Sequence, residues 1–119
     1  MRSSSSSDVY IPAKGDVVWI DFNPQSGREQ ANRRPALVIS STMYNRRVKL
    51  ALVCPITTKV KGYMFEVPIP EGLAVSGVVL ADQVKSFDWQ MRQAEFICQM
   101  PDDVLMQVIG AIERFVREF

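Results

Sequence analysis

Histidine is absent from this 119-residue chain, and its absence excludes several kinds of active site. A Ser-His-Asp triad, a Cys-His dyad and a nuclease site built on paired imidazoles all need histidine to move the proton. Any general acid or base in this chain must therefore be a side chain other than histidine.

Cysteine is scarce as well. The two cysteines, Cys54 and Cys98, lie far apart in apolar segments without C-x-x-C spacing, which excludes a zinc site in a chain without histidine. Two separated cysteines favour buried thiols in a reducing cytoplasm over a disulfide. The sequence also lacks a G-x-x-x-x-G-K phosphate loop. We therefore predict a cytoplasmic protein that uses no metal and no cofactor.

Long apolar runs are missing too. None reaches the roughly 18 residues that a membrane span needs, so no membrane partner is expected. The first residues, MRSSSSS, contain no apolar stretch of the kind found in a secretory signal. We interpret residues 1–13 as a flexible serine-rich tail and residues 14–119 as one domain, in keeping with the length of the chain.

Positive charge is concentrated in one part of the sequence, although the net charge of the whole chain is only +1. From Asn23 to Gly62 there are eight lysines and arginines against one glutamate, a net +7, which leaves −6 for the rest. Such a segment favours binding to a polyanion such as nucleic acid. The alternative is that charged loops only keep the protein soluble.

Short β-rich segments separated by turn residues dominate the hydrophobic pattern. They predict strands at Asp16–Phe22, Pro35–Ser41, Val48–Thr58, Tyr63–Pro70 and Gly77–Ala81, with further short segments in SFDWQ and RQAEFICQ. TMYNRR is interpreted as one helical turn or a loop. After Pro101, apolar residues recur at helical spacing, so we predict a mainly β (α+β) fold: a small barrel of about six or seven strands with a C-terminal amphipathic helix.

The loop SGREQANRRP holds the first group of candidate functional residues. Its carboxylate, Glu29, lies close in sequence to three guanidinium groups, those of Arg28, Arg33 and Arg34. An arginine fork matches phosphate geometry, and a carboxylate in a positive field stays ionised and accepts a proton, so this set suits phosphodiester chemistry. The alternative is a salt bridge between Glu29 and Arg34 that only pins the loop.

A pair of hydroxyls forms the second group. Thr57 and Thr58 end a predicted strand and are followed by Lys59 and Lys61. These two lysines would attract the phosphates of a nucleic acid whatever its base sequence. Threonine is common in strands, so a purely structural role is the alternative.

The third group is the segment ADQVK. Asp82, Gln83 and Lys85 offer donors and acceptors that are able to read base edges, unless they only form a polar turn. Near the basic loops, the aromatic residues Phe22 and Tyr44 would stack on unpaired bases or else pack in the core.

Three motifs occur together in this chain: G-x-E-Q-x-x-x-R-P at 27–35, P-x-T-T at 55–58 and A-D-Q-V-K at 81–85. In this order and spacing they resemble the MazF/PemK family of toxin endoribonucleases. The resemblance runs from Gly15 to Trp89, and the predicted C-terminal helix also fits. It implies a homodimeric SH3-like barrel that cuts single-stranded RNA at short sequences as a growth-arrest toxin, neutralised by a MazE-like antitoxin protein.

The resemblance also implies roles for individual residues. Arg34 and Thr57 match the catalytic pair of the family, Glu29 matches its loop glutamate, and Asp82 matches the aspartate of its D-Q motif.

This chain also departs from the family pattern. Asn32 stands where many relatives have glycine, and asparagine tolerates a positive φ better than most residues. Arg28 and Leu80 stand where some relatives have histidine and arginine, so the acid or base proposed for those branches is absent here.

RNA carries its own nucleophile, the 2′-hydroxyl, and its attack on the adjacent phosphorus gives a 2′,3′-cyclic phosphate and a 5′-hydroxyl end. In this scheme Arg34 stabilises the phosphorane, Thr57 donates a hydrogen bond and Glu29 is the candidate base. Two alternatives come from other functional classes: a gyrase poison with a similar barrel, and a noncatalytic RNA-binding barrel.

Overall fold

Seven strands and two α-helices form the part of the chain that the computed structural model describes, residues 9–22 and 33–119. The order along the chain is as follows: β1 (Asp16–Asp21), β2 (Arg33–Val38), α1 (Thr42–Val48), β3 (Ala51–Thr57), β4 (Glu66–Pro68), β5 (Val78–Leu80), a 3-10 turn (Ala81–Gln83), β6 (Lys85–Phe87), β7 (Glu95–Gln99) and α2 (Asp102–Glu118).

The strands form one antiparallel sheet in the order β4-β5-β3-β2-β1-β7, with β6 also paired to β3. On the edge away from β2, the first half of β3 pairs with β6 and the second half with β5. Pro55, which has no backbone N–H, lies between these two stretches. Among the described residues no pairing joins β4 to β7, so the sheet is open there.

The central strands are covered on both faces, which explains why PALV and ALVCPI are almost continuously apolar. Alternate residues of each strand point to opposite faces. One face contributes to a core with α2, including Val17, Leu37 and Cys54, while the other packs around Trp89 and includes Ile20 and Val53.

Helix α2 confirms the helix predicted from the C-terminal periodicity. It begins after Pro101 with two acidic residues, Asp102 and Asp103, in its first turn and has Arg117 in its last turn, as the helix dipole favours. Val104 and Val108 are buried against the sheet. Neither helix of the described residues is long and apolar enough to cross a membrane.

Several elements have other bounds than the sequence predicts. TMYNRR, for which a helical turn and a loop were both open, is the start of the seven-residue helix α1, capped by the Ser41 hydroxyl. The strand predicted at Tyr63–Pro70 is reduced to Glu66–Pro68. Its Glu66 carboxylate accepts the backbone N–H groups of Lys61 and Gly62, which holds the preceding residues in a turn.

The residues just before the domain are packed against it. The Tyr10 hydroxyl donates to Asp16, and the Asn45 side chain donates to the carbonyl oxygen of Pro12 at 2.8 Å. The folded part therefore begins within the predicted tail, before residue 14, whereas residues 1–8 lie outside the described part of the chain.

The predicted fold class is confirmed: the chain is a mainly β (α+β) protein with a C-terminal amphipathic helix. Cys54 and Cys98 are free thiols. Cys54 is fully buried, and burial together with the nearby charge of Asp82 raises the pKa of its thiol to about 12. This buried thiol therefore stays protonated at neutral pH.

Candidate active site

An open cleft of about 290 Å³ brings together residues from most of the strands. It lies where β2 begins and β3 ends, beside the 3-10 turn. Its lining contains members of all three predicted groups, with one aromatic ring and two apolar residues: Arg34, Thr57, Gln83, Lys85, Phe22, Pro55 and Leu80. Distant motifs of the sequence therefore form one polar site.

The register of β2 and β3 explains why Arg34 and Thr57 meet in this cleft. Ala36 is the cross-strand partner of Pro55 in this antiparallel pair. Arg34 and Thr57 each lie two residues beyond this pair, so the alternation of side chains along a strand puts both on the face that carries Ala36 and Pro55. Both side chains line this one cleft, which places a guanidinium and a hydroxyl around the same bound phosphate.

The Arg34 side chain is exposed and lies over the ring of Phe22, with 6.0 Å between the guanidinium carbon and the ring centroid. Phe22 in turn makes an edge-to-face contact with Phe87. The guanidinium of Arg92 lies 4.4 Å from the centroid of Phe87 and donates to the carbonyl oxygens of Asp21 and Phe22. Phe22 is thus a fixed apolar support for Arg34.

Thr57 is the last residue of β3, and the turn that follows it sets the hydrogen bonding of its hydroxyl. Its Oγ1 accepts the backbone N–H of Lys59 at 3.0 Å. A hydroxyl that accepts one hydrogen bond keeps its own proton to donate, so Thr57 is able to donate to a phosphate oxygen in the cleft. Thr58, Lys59 and Lys61 follow it and are all exposed.

Asp82 accepts a hydrogen bond from the Tyr63 hydroxyl at 2.7 Å. Burial, together with the hydrogen bond to Asp82, raises the pKa of Tyr63 to about 12, so the phenol stays a donor at neutral pH. This bond ties the 3-10 turn to the segment before β4. Gln83 and Lys85, which follow Asp82, are exposed along the cleft.

Arg33 differs sharply from its neighbour Arg34. Its guanidinium pairs with Asp21 at 2.8 Å and with Glu95 at 3.0 Å, and it also donates to the carbonyl oxygen of Gln93. These contacts join the start of β2 to β1 and β7. Arg33 therefore has a structural role, and its role in RNA binding stays a prediction.

Arg28 and Glu29 lie outside the described residues, as does Asn32. The assignment of Glu29 as the base, and the alternative salt bridge between Glu29 and Arg34, both stay predictions. Within residues 9–22 and 33–119, no three side chains of cysteine, aspartate or glutamate are arranged to hold a metal ion.

Comparison with known proteins identifies the family. Residues 13–116 match the sequence profile described as "PemK-like, MazF-like toxin of type II toxin-antitoxin system". The chain belongs to this family. It is 51% identical to the endoribonuclease toxin MazF of Escherichia coli K12 over 85 residues, which are 71% of this chain and 76% of that protein.

Another relative matches over more of its length. The endoribonuclease toxin ChpB of Escherichia coli K12 is 35% identical over 109 residues, which are 87% of this chain and 92% of that protein.

Solved structures agree with this assignment. The crystal structure of MazF (Form-I) from Deinococcus radiodurans has a TM-score of 0.83 and 48% sequence identity, covering 91% of this chain and 98% of that one. A MazE-MazF crystal structure (Form-II) from the same organism has a TM-score of 0.82 and 43% identity, with 92% of this chain and 98% of that one covered. The family resemblance found in the sequence is therefore confirmed, while the homodimer and the cytoplasmic location stay predictions.

Sequence reasoning missed four residues that shape the site. Phe87 and Arg92 support Phe22, Tyr63 binds Asp82, and Gly77 lies against the end of β3. Only Gly77 had a signal in the sequence, because a glycine just before a short apolar strand often marks a close backbone approach. The other three are revealed only by long-range contacts.

Proposed function

We propose that this chain is an endoribonuclease toxin that cuts single-stranded RNA in the cleft between β2 and β3, and that a MazE-like antitoxin protein neutralises it. The family assignment and the names of the relatives support the activity. The observation that carries the location is the single cleft that Arg34, Thr57 and the cation Lys85 line together. The cleavage chemistry follows from what these side chains can donate.

In the proposed reaction the 2′-hydroxyl of the RNA attacks the adjacent phosphorus. The new bond joins the 2′-oxygen to phosphorus, and the bond between phosphorus and the 5′-oxygen breaks. The 2′-proton passes to a base, for which Glu29 is the candidate, and the 5′-oxygen leaves as a hydroxyl after taking up a proton. The products carry a 2′,3′-cyclic phosphate and a 5′-hydroxyl end.

Arg34 is the candidate for stabilising the negative charge that develops on the phosphorane. Its guanidinium is a planar donor that matches two phosphate oxygens at once. Because Phe22 lies against it, the guanidinium is held near the cleft before RNA binds. A preorganised donor of this kind contributes roughly 3 to 4 kcal/mol to the stabilisation of a transition state. Thr57 adds a second, neutral donor from the opposite strand.

Recognition of the substrate is assigned to the exposed polar residues around Arg34 and Thr57. Thr58, Lys59 and Lys61 extend from the end of β3, and Gln83 and Lys85 line the other side of the cleft. Polar side chains read base edges well only when the bases are unpaired, because the deep groove of A-form RNA hides them. This accounts for a preference for single strands. A base that stacks on the ring of Phe22 competes with the Arg34 guanidinium for the same ring.

The proposed antitoxin is a largely disordered acidic segment that covers the basic surface around the cleft. Flexible acidic chains associate rapidly with basic surfaces and wrap over large areas. The solved MazE-MazF structure of a relative with 43% identity supports a MazE-like protein as the partner. Inhibition of this kind weakens with salt and competes with RNA.

The experiment that tests the proposed function is end mapping after incubation of the purified protein with a long single-stranded RNA. We expect discrete cuts whose 3′ ends carry a cyclic phosphate and whose 5′ ends carry a hydroxyl. A gyrase poison leaves the RNA intact and does not bind it. A noncatalytic RNA-binding barrel binds the RNA and leaves it intact, so either result refutes the proposal.

Lys59→Ala is expected to weaken RNA binding modestly and to lower the slope of log affinity against log salt concentration by about one unit, because one phosphate contact is lost. The matched control is Arg114→Ala, which removes the same charge from α2, where Arg114 pairs with Glu118 at 3.3 Å. Affinity measured by fluorescence anisotropy at several salt concentrations checks both variants. Equal slopes for the two variants would contradict a direct phosphate contact by Lys59.

A further inference from the structure

Gly77 immediately precedes β5, and its backbone lies against the end of β3. A Cβ atom built on Gly77 would lie 2.1 Å from the carbonyl oxygen of Thr57, 2.8 Å from its carbonyl carbon and 2.9 Å from the Cα of Thr58. Ordinary van der Waals contact of a Cβ begins at 3.4 Å. Only a residue without a side chain allows the two backbones to approach this closely.

The backbone around Gly77 holds it in this place. Its φ of +103° lies in the region that residues with a side chain avoid. Its carbonyl oxygen accepts the N–H of Ile69 at 2.9 Å, and the next residue, Val78, is the cross-strand partner of Thr57. Gly77 therefore cannot move away from Thr57 without disturbing the backbone pairing on both sides.

Two of the three atoms that a Cβ on Gly77 would meet belong to Thr57, which lines the cleft, and the third is the Cα of Thr58. They also begin the turn in which Thr57 Oγ1 accepts the N–H of Lys59. We infer that Gly77 is a positioning residue for RNA cleavage: its missing side chain lets β3 end against β5, and this contact sets the Thr57 hydroxyl in the cleft that Arg34 also lines. The inference rests on the role proposed above for Thr57.

Gly72 provides a matched control in the same loop. Its φ is +99°, so alanine there meets a backbone conformation as unfavourable as at Gly77. No atom lies within 4 Å of a Cβ built on Gly72. Gly72→Ala therefore introduces the backbone strain without the clash, and the difference between the two variants reports the contact with Thr57.

The test compares kcat and KM of Gly77→Ala and Gly72→Ala on a short RNA substrate, with the folded fraction measured by circular dichroism. We expect the clash in Gly77→Ala to displace the end of β3, and a displacement of about 1 Å in a catalytic group costs roughly 100-fold in rate. We expect that loss in kcat, a much smaller change in KM, and a kcat near wild type for Gly72→Ala. Equal kcat values for the folded fractions of both variants would overturn the inference.

The same comparison in a Thr57→Val background separates positioning from a general loss of structure. If Gly77 acts through the Thr57 hydroxyl, Gly77→Ala lowers kcat far less once that hydroxyl is gone. If Gly77→Ala lowers kcat by the same factor in both backgrounds, the inference is overturned. A wild-type protein that leaves RNA intact refutes the proposed function instead, so the two failures are distinguishable.

Should Gly77→Ala fail to fold, D-alanine at Gly77 keeps the inference testable. Cys54 and Cys98 provide junctions for assembling the chain by chemical ligation. D-Alanine adopts a positive φ without strain and directs its methyl group away from the position that clashes with Thr57. We expect this variant to fold and to cleave RNA with a kcat close to that of the wild type. A folded D-alanine variant that has lost cleavage would overturn the inference.

Discussion

An RNA with a single 2′-deoxy nucleotide immediately 5′ of the scissile phosphate will not be cut by this chain, although it will still bind. Only the attacking group has been removed, and the phosphate and the bases that Arg34, Lys85 and Gln83 would contact are unchanged. Without a nucleophile the proposed reaction has no first step. Cleavage of this substrate is therefore expected to fall below detection.

The measurement is a gel assay of matched RNA oligonucleotides together with a fluorescence anisotropy measurement of binding. A 2′-deoxy nucleotide one position further from the cut serves as the control and should be cleaved. Cleavage of the all-ribose RNA should also proceed in excess EDTA, because the substrate supplies the nucleophile. Cleavage of the deoxy-substituted RNA, or products ending in a 3′-hydroxyl, would show that water attacks and that the roles given to Glu29, Arg34 and Thr57 are wrong.

Arg34→Ala is expected to lower kcat by about 10²- to 10³-fold, because it removes a preorganised donor from the developing phosphorane. Stability should change little. The side chain is exposed, and no carboxylate of residues 9–22 or 33–119 lies within 4 Å of it. Loss of its contact with Phe22 costs only about 0.5 to 1 kcal/mol. Arg34→Lys should recover little activity, since an ammonium group cannot donate two parallel hydrogen bonds.

Arg33→Ala provides the contrast in stability. It leaves the partly buried carboxylate of Asp21 and the carbonyl oxygen of Gln93 without their donor, so we expect the free energy of unfolding to fall by about 1 to 3 kcal/mol. Thermal and urea unfolding of both variants, combined with kcat for the folded fraction, makes the comparison. A sharply lower melting temperature for Arg34→Ala with normal turnover would support the salt bridge with Glu29 instead.

Most elements of the fold are predictable from the sequence because their signals are local. The apolar runs in PALVIS and VKLALVCPITT identify central strands, and the periodicity after Pro101 identifies α2. The bounds are less predictable, since they depend on contacts from elsewhere. The strand expected at Tyr63–Pro70 is short because the Glu66 carboxylate accepts backbone N–H groups of the turn before it. The segment TMYNRR is helical where the buried Asn45 side chain donates to the carbonyl oxygens of Pro12 and Ser40.

The candidate site is only partly predictable. The motifs identify Arg34, Thr57 and the segment ADQVK, and the structure brings members of all three groups to one cleft. Apart from the motif, in which Arg34 precedes Pro35, nothing in the residue types distinguishes Arg33 from Arg34, which are adjacent and chemically identical. Alternation along β2 sends one toward the carboxylates of Asp21 and Glu95 and the other toward the cleft.

The sequence alone determines which chemistry is open to this protein and which family it belongs to. The lack of histidine excludes every site that needs an imidazole, and three motifs in order identify a MazF-like toxin. The tertiary structure alone decides how those groups are arranged. Strand register and the close approach of Gly77 to Thr57 result from pairing between segments far apart in the chain, and no local pattern of residues encodes the distance between them.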